Sequence, residues 1–576
     1  MKRKILLFII ALVPAVIGLT YICNYGVSVP FLDEWEMVAF SQQMETGGLQ
    51  FSDLYAQHNE HRILFARLAY LAIVSLTNYN TVALMLFSFL MISLSTFLIV
   101  NYIGRRYAVP FNKCCLFAAV ISFLTYSLAQ YENLLWGFQI GFNMVLLLSV
   151  LSFYFLYLSF EAKEAKRRWF FLGLALVFAV IDSFSHSQGL ITWITAAILM
   201  LLIFRRKVLK SPYFLAWCGM AILTWGIYFY QYAKPEHHPS LTYLLDEPVV
   251  FIQYFLSILG NSIAGSLQSM VVVFGLFILF FFFVAVTIIW KRKQLSSYFF
   301  PIALTLNSLF ILGSIALGRA GFGVEQSLAS RYVSFSLYAV IGLCLLWMEL
   351  KDLRTTKNVV KKTAKITVKE KNIIKNTAKV IVGIIIFTIP FNLYEGIRKG
   401  GEMKKDREYS VYLLSTIDQQ PNRLLQRMYP WPDKLRERAV YLQEHKLNVF
   451  HANQYEVPAL LFNDSLAQKN NDILTFDPNT IQSLDDFWVI LRPLVKPQYR
   501  KEVANLYVDV NGVVFPIYTA PDRHNKPADY NMIYDISAIS LNILPQELLQ
   551  VKFKALSADA SFYYEIDPDW KYQRSQ

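Results

Sequence analysis

Two clusters of polar residues lie between apolar segments near the start of the chain. The first contains three carboxylates, Asp33, Glu34 and Glu36, shortly after the first apolar segment. Charge at the end of a membrane-spanning helix is costly unless it is well solvated or functional, and a positioned carboxylate can remove a proton from a hydroxyl group. The second cluster contains His58, Glu60, His61 and Arg62. We interpret the two clusters as parts of one active site, with a simple solvated loop as the alternative for the carboxylates.

The composition indicates a membrane protein. Of the 576 residues, 55% are hydrophobic and 16% are charged, whereas soluble domains have roughly 25% charged residues. Many apolar runs reach the ~17–25 residues that cross a bilayer. The net charge of +13 does not indicate a nucleic-acid partner, because Lys and Arg lie in short loops between apolar segments. The five cysteines are scattered without metal-ligand spacing, so neither a disulfide framework nor a zinc site is predicted.

The chain is predicted to be mainly α, with about eleven transmembrane helices. The apolar segments are 4–21, 80–102, 114–130, 139–160, 169–185, 188–204, 213–232, 268–290, 298–317, 332–350 and 379–394. Segment 63–78 contains Arg67, and we expect it to be a juxtamembrane helix that does not cross. The basic loops, including the long loop 351–378, then all lie on the cytoplasmic side, as the positive-inside rule requires. The N-terminus is therefore predicted inside and the C-terminus outside.

The remainder of the chain is more polar and long enough for a domain of its own. Its predicted helix and strands are 433–445, 487–491, 506–510, 513–515 and 551–555. Asn511-Gly512, between two of these strands, is a strong signal for a two-residue hairpin turn. We therefore predict a transmembrane domain over 1–394, with a first outer loop over 22–79, and an extracytoplasmic α+β or β-rich domain over 395–576.

With this topology, the polar residues that are unusual for membrane segments lie on the outer face. The candidate substrate-binding residues are His58, Glu60, His61, Arg62, Glu132, Trp136, Gln139, His186, Arg319, Arg331 and Tyr332. The positive-inside rule disfavours arginine on this face. Arg319 and Arg331 therefore indicate an anionic partner, and the planar guanidinium suits phosphate; as an alternative, they mark the ends of spans. We expect recognition or chemistry at the outer membrane–water boundary.

The chain resembles the GT-C class of integral-membrane glycosyltransferases in its architecture and in short motifs. The shared architecture is an apolar N-terminal span, an outer loop with an acidic pair, a juxtamembrane helix, many spans and a C-terminal extracytoplasmic domain. Motifs similar to those of uncharacterised bacterial members are Asp33-Glu34-Trp35, Asn59-Glu60-His61-Arg62, Trp136-Gly137-Phe138-Gln139 and Ser330-Arg331-Tyr332. The resemblance covers roughly residues 1–400 and leaves the C-terminal domain without a match.

The resemblance implies a multi-pass enzyme of the bacterial cytoplasmic membrane that works on the outer side. It implies transfer of a hexose or pentose from a polyprenyl-phosphate donor to a hydroxyl of a glycan or lipid acceptor. Asp33 would be the catalytic base, with Glu34 as the next choice, and Arg319 or Arg331 would stabilise the leaving phosphate. A single base predicts inversion at the sugar carbon. No cofactor is predicted, although a need for a divalent metal stays open.

Two other functions fit parts of the same pattern. A flippase or transporter for a lipid-linked glycan would carry charged residues along a pathway in the middle of its spans, whereas here they lie at the outer ends. A glycan polymerase or ligase would use a similar outer site, and the sequence does not separate it from a transferase.

Overall fold

The computed structural model describes residues 2–573 apart from several gaps. The gaps are 107–110, 235–242, 352–367, 416, 418–419, 421, 452–460, 462, 476–481, 486–487, 491–493, 500–501, 511–512, 520–533, 536–538, 541–547, 560 and 568–570. The chain forms two compact units. Unit 1 comprises Met1–Gly26, Gly47–Ile73 and Val82–Gly400, and unit 2 comprises Val27–Thr46, Val74–Thr81 and Gly401–Gln576. The segment that contains Asp33 and Glu34 therefore belongs to unit 2, together with the C-terminal residues.

The described residues are mainly helical, as expected for a polytopic α protein. The helices are α1 (Lys2–Tyr25), α2 (Glu34–Glu45), α3 (Phe51–Tyr55), α4 (Leu64–Leu76), α5 (Thr81–Arg106), α6 (Phe111–Thr125), α7 (Tyr131–Leu135), α8 (Ile140–Glu161), α9 (Ala165–Ser183), α10 (Leu190–Phe204), α11 (Pro212–Phe229), α12 (Tyr243–Asp246), α13 (Pro248–Ala264), α14 (Val271–Lys291), α15 (Phe299–Arg319), α16 (Val333–Lys351), α17 (Val368–Ser415), α18 (Asn422–Leu425) and α19 (Pro432–Glu444).

Nine candidate spans, rather than the predicted eleven, are long and apolar enough to cross a membrane within the described ranges. They are α5, α6 with α7, α8, α10, α11, α14, α15, α16 and α17. Two predicted spans are not among these nine. One of them, 4–21, lies in α1, whose described side chains, Ile9–Tyr25, form an apolar stretch shorter than a candidate span. The other, α9, carries Lys166, Arg167 and Arg168 in its first turn and Asp182 near its end, and these charges lower its apolar character.

Helix α16 is the central helix of unit 1. All side chains from Val333 to Leu350 are buried, so its apolar residues contact other helices on every side. Helix α13, which was not among the predicted segments, packs antiparallel against α14. A Cβ atom added at Gly260 would overlap the carbonyl of Val271, and one at Gly275 would overlap the carbonyl of Leu256. Small residues allow this close approach of the two backbones, as is common between membrane helices.

The helix termini of unit 1 form two ends that differ in their polar residues. At one end, which we call the basic end, Arg106 donates to the carbonyl of Ser297 at 3.0 Å and lies 4.0 Å from the carboxylate of Glu161. Helices α8 and α15 connect this end to the opposite end, where α8 begins at Ile140 and α15 ends at Arg319. That second end, which we call the polar end, contains the candidate site.

Segment 63–78 forms the short helix α4, as expected. Its 13 residues span about 20 Å at 1.5 Å per residue, less than the ~30 Å of a bilayer core. Arg67 is buried and donates to the carbonyls of Asp53, Leu54 and Ala56 at 3.2, 2.8 and 2.5 Å. The arginine that made this segment doubtful as a span therefore caps the C-terminal end of α3.

Unit 2 contains the larger sheet. The strands of the chain are β1 (Gln57–His58), β2 (His61–Arg62), β3 (Ala467–Lys469), β4 (Leu474–Thr475), β5 (Gln482–Asp485), β6 (Trp488–Ile490), β7 (Leu494–Val495), β8 (Val503–Val510), β9 (Val513–Thr519), β10 (Tyr534–Asp535), β11 (Ile539–Ser540), β12 (Leu548–Ser557), β13 (Tyr563–Ile566) and β14 (Lys571–Gln573). The seven-stranded sheet has the order β10-β9-β8-β12-β13-β3, with β14 paired to β12.

Several local predictions for this region are confirmed. Strands β8 and β9 form an antiparallel hairpin in which Val510 is opposite Val513, while the predicted turn Asn511-Gly512 lies outside the described residues. Helix α19 matches the prediction for 433–445, and its apolar face is buried. The predicted strand 551–555 is part of β12. The predicted strand 487–491 corresponds to β6, with its two end residues outside the described ranges.

Candidate functional site

A two-stranded hairpin presents Glu60 at the polar end of unit 1. Strand β1 pairs with β2, and His58 lies opposite His61. Asn59, in the turn, has φ +48°, a left-handed conformation that asparagine tolerates better than most residues. The side-chain amide of Gln57 pairs with the backbone of Ala233 through bonds of 2.6 and 3.1 Å. These contacts fix the position of the turn that carries Glu60.

Arg62 connects the hairpin to the end of α11. Its guanidinium donates to the carbonyl oxygens of Tyr228 at 2.7 Å, Tyr230 at 2.6 Å and Tyr55 at 3.0 Å. Cations at helix C-termini satisfy carbonyls that lack intrahelical partners. These contacts give Arg62 a positioning role, and its predicted contact with substrate stays a prediction.

Glu60 and Arg319 form the central ion pair of the site. The Oε1 atom of Glu60 lies 2.5 Å from Nη2 of Arg319 and 3.3 Å from Nε2 of His61. The side chains are partly buried, with 21% of Glu60 and 27% of Arg319 exposed, so their attraction is screened less than that of a surface pair. The Nδ1 atom of His61 is 2.7 Å from the hydroxyl of Ser187. The carboxylate of Glu60 therefore lies between its sequence neighbour His61 and Arg319, which comes from the end of α15.

His186 lies against His61 beside this ion pair. The two imidazole rings are 3.6 Å apart between centroids, and His186 is hydrogen-bonded to Gln188. Burial, followed by the effect of the neighbouring His61, lowers the pKa of His186 well below its usual range. His186 is therefore neutral at neutral pH and offers the site a polar group without charge.

A second group of predicted residues is arranged around Arg331. The carboxylate of Glu132 accepts the backbone N–H of Arg331 at 2.8 Å, and the backbone N–H of Glu132 donates to Ser330 at 3.2 Å. Asn133 donates to the carbonyl of Arg331 at 2.9 Å. The Arg331 guanidinium is 5.5 Å from the ring of Tyr332, which is buried. Glu132 thus stabilises the backbone turn that holds Arg331.

Aromatic side chains link the two groups. The Phe142 ring lies 4.6 Å from the ring of His186 and 6.4 Å from that of Tyr332. Phe138 lies 5.4 Å from His58 and 6.2 Å from Trp136. The structure therefore brings together residues predicted from distant parts of unit 1.

The predicted site residue Gln139 is buried, and three residues near the site were not predicted. Gln139 is only 2% exposed, and its backbone carbonyl accepts a bond of 3.2 Å from Asn143. Sequence reasoning did not include Phe138, Phe142 or Ser187 among the site residues. Aromatic residues make up 16% of the chain, so a single phenylalanine does not stand out as a site residue. Ser187 could have been predicted, because it is next to His186 in the sequence.

The predicted catalytic carboxylates belong to unit 2. Asp33 occupies the N-cap position of α2. Glu34 is 1% exposed, and its carboxylate accepts the backbone N–H of Phe31 at 2.9 Å. This bond gives Glu34 a structural role at the start of α2.

The third carboxylate of the same cluster, Glu36, also has partners in unit 2. It lies 3.0 Å from the guanidinium of Arg438 and accepts a hydrogen bond from Tyr429. Burial and the hydrogen bond to Glu36 raise the pKa of Tyr429 to about 12. Glu36 thus connects α2 to α19 through Arg438.

Within the described ranges, no group of three or more His, Cys, Asp or Glu side chains is arranged to hold a metal ion. The site at the polar end combines a carboxylate, two arginines, neutral imidazole and aromatic walls. This set of groups can bind an anionic, partly apolar ligand.

Comparison of the sequence with known proteins found no relative. No protein-family model matches the chain, and no curated protein matches it.

Proposed function

We propose that the chain is a membrane glycosyltransferase that moves a sugar from a polyprenyl-phosphate donor to a hydroxyl of a cell-surface glycan or lipid. The reaction takes place at the outer face of the bacterial cytoplasmic membrane. The donor is a lipid whose phosphate lies at the membrane boundary, and the candidate spans supply the apolar surroundings for its tail.

The observation that carries the proposal is the Glu60–Arg319 pair at the polar end of unit 1. Arg319 ends α15, at the end opposite Arg106 and the basic loops. An arginine at this end needs an anionic partner, and Glu60 is its partner in the structure. A donor phosphate offers Arg319 a second anion, and a bidentate guanidinium–phosphate contact is stronger than a neutral hydrogen bond.

The chemistry requires one proton acceptor and one stabilised leaving group. The acceptor hydroxyl oxygen bonds to the anomeric carbon while the bond from that carbon to the phosphate oxygen breaks. The hydroxyl proton passes to a carboxylate, and the polyprenyl phosphate leaves with the electron pair. Positive charge beside the leaving phosphate lowers the barrier, and Arg319 supplies it. For this carboxylate the resemblance ranks Asp33 first and Glu34 second.

A comparison of surface glycans from cells with and without the gene tests this function. Loss of one side-chain sugar, with polymer length unchanged, is the expected result. Uniformly shortened chains would favour a polymerase instead. A lipid-linked glycan that accumulates on the inner leaflet, with no loss of transferase activity in isolated membranes, would indicate a flippase.

A further inference from the structure

Unit 1 contains a cavity at its basic end that the proposed reaction does not use. Its volume is about 240 Å³, and it lies between α8, α9, α10 and α11. Apolar side chains form most of its wall: Leu156, Phe160, Leu172, Met200, Phe204 and Phe214. Such a wall suits a hydrocarbon chain.

Two cations also line this cavity, Arg168 from α9 and Lys207 from the turn after α10. Arg168 donates to the carbonyl of Ala162 at 3.0 Å, and its Nε is buried without an acceptor among the described residues. Lys207 is exposed. The nearby carboxylate Glu164 lies 4.0 Å from Arg167, which does not line the cavity. The cavity therefore combines an apolar interior with positive charge.

Aromatic residues of the kinds that are common at membrane–water boundaries lie beside the cavity. Tyr213 lines it and lies 4.6 Å from Trp169 between ring centroids. The Arg168 guanidinium lies 5.3 Å from the Tyr213 ring. Tryptophan and tyrosine are enriched at the membrane–water boundary, and basic residues beside them attract anionic lipids.

We propose that this cavity binds an anionic glycerophospholipid, with the headgroup phosphate at Arg168 and Lys207 and one acyl chain against the apolar wall. The volume is below the roughly 300–1,000 Å³ of a site for a drug-sized ligand. It accommodates part of one acyl chain, and the rest of the lipid remains in the bilayer. The site is independent of the Glu60–Arg319 site and of the proposed reaction.

Lipid binding to the purified, delipidated full-length chain tests the proposal. We expect phosphatidylglycerol to raise the thermal midpoint of unfolding, and phosphatidylcholine, uncharged diacylglycerol and inorganic phosphate to raise it much less. Each cation near the surface contributes about 1 kcal/mol, so Arg168→Gln with Lys207→Gln should weaken phosphatidylglycerol binding roughly thirtyfold. The matched control, Arg206→Gln with Lys210→Gln, changes two exposed cations of the same turn that do not line the cavity.

A second variant keeps both cations and tests the apolar part of the site. Met200→Phe fills the cavity, and we expect it to weaken phosphatidylglycerol binding while the lipid-free unfolding midpoint changes little. It serves as the test if the double cation variant does not fold. Equal binding of phosphatidylcholine, an equal effect of inorganic phosphate, or equal losses in the cavity and control variants would overturn the proposal.

Discussion

Asp33 and Glu34 are neighbours in sequence with different surroundings. Glu34 is almost fully buried and accepts a backbone hydrogen bond, so its carboxylate has a structural use. Asp33 precedes the first turn of α2. Because Glu34 has this structural partner, Asp33 stays the first candidate for the general base that the proposed reaction requires.

Asp33→Asn should abolish sugar transfer without changing the fold. A general base contributes about 10²–10⁴-fold to a rate, so transfer should fall by that factor while donor affinity and the unfolding midpoint stay unchanged. Glu34→Gln keeps an oxygen acceptor for the Phe31 amide and should retain transfer. A fully active Asp33→Asn enzyme would remove Asp33 from the mechanism. A folded but inactive Glu34→Gln variant would move the role of base to Glu34.

His186 should make the stability of unit 1 dependent on pH. Burial lowers its pKa well below the ordinary value of about 6.5. Below that pH the unfolded chain binds a proton at His186 and the folded chain does not, so stability falls as the pH decreases. Between pH 7 and 5 the unfolding midpoint should therefore drop less steeply in His186→Gln than in the unchanged chain. Identical slopes would show that His186 is accessible to protons in the folded state.

The partners of the predicted site residues were the least predictable feature. Arg62 and Glu132 both bind backbone groups, and their contacts with substrate stay predictions. The carbonyls of Tyr228 and Tyr230 that Arg62 binds lie more than 160 positions later in the chain. No pattern within a local segment identifies a helix end so far away as the source of these acceptors.

Close packing of α13 against α14 depends on glycine. A methyl group at Gly260 would overlap the backbone of Val271, and overpacking costs about 1–3 kcal/mol. Gly260→Ala should therefore lower the unfolding midpoint. Gly219→Ala in α11 is the matched control, because nothing lies within 4 Å of the added atom and alanine favours helix by up to about 1 kcal/mol. Equal effects of the two substitutions would contradict close packing at this helix pair.

Elements with a strong local signal were predicted well, and α13 was not. The hairpin β8–β9 and helix α19 follow from turn residues and from the spacing of apolar side chains within a few positions. Helix α13 has 17 residues, at the lower limit of the length of a span. It is held in place by α14 and α16, and such tertiary packing has no signature within the segment itself.

The orientation of the whole molecule rests on the distribution of charge. The structure groups the polar residues at one end of unit 1 and Arg106, Glu161 and Ser297 at the other. The positive-inside rule assigns the basic end to the cytoplasm. The number of candidate spans is nine within the described ranges, not the predicted eleven. Helix α9 carries three basic residues in its first turn, and the described side chains of α1 cover only Ile9–Tyr25.

Cysteine labelling of intact cells checks this orientation. In a variant without the five natural cysteines, an impermeant maleimide should label Phe322→Cys and spare Leu209→Cys. The two side chains are matched in exposure, at 50% and 52%, and they lie at opposite ends of unit 1. Permeabilised cells provide the control, since both positions should then react. The reverse pattern in intact cells would place the candidate site on the cytoplasmic side and remove the basis for an extracytoplasmic reaction.

The most direct measurement of the central claim is sugar transfer by the purified chain in liposomes that contain a labelled polyprenyl-phosphate sugar and a mixture of cell-surface glycan and lipid acceptors. One polyprenyl phosphate should be released for each sugar transferred. Arg319→Gln should lower the rate by about 10²–10³-fold, the usual cost of removing one group that stabilises developing charge. The control Arg206→Gln, an exposed arginine in the turn after α10, should keep the full rate. Absence of polyprenyl phosphate release by the unchanged chain, or an unchanged rate in Arg319→Gln, would contradict the account.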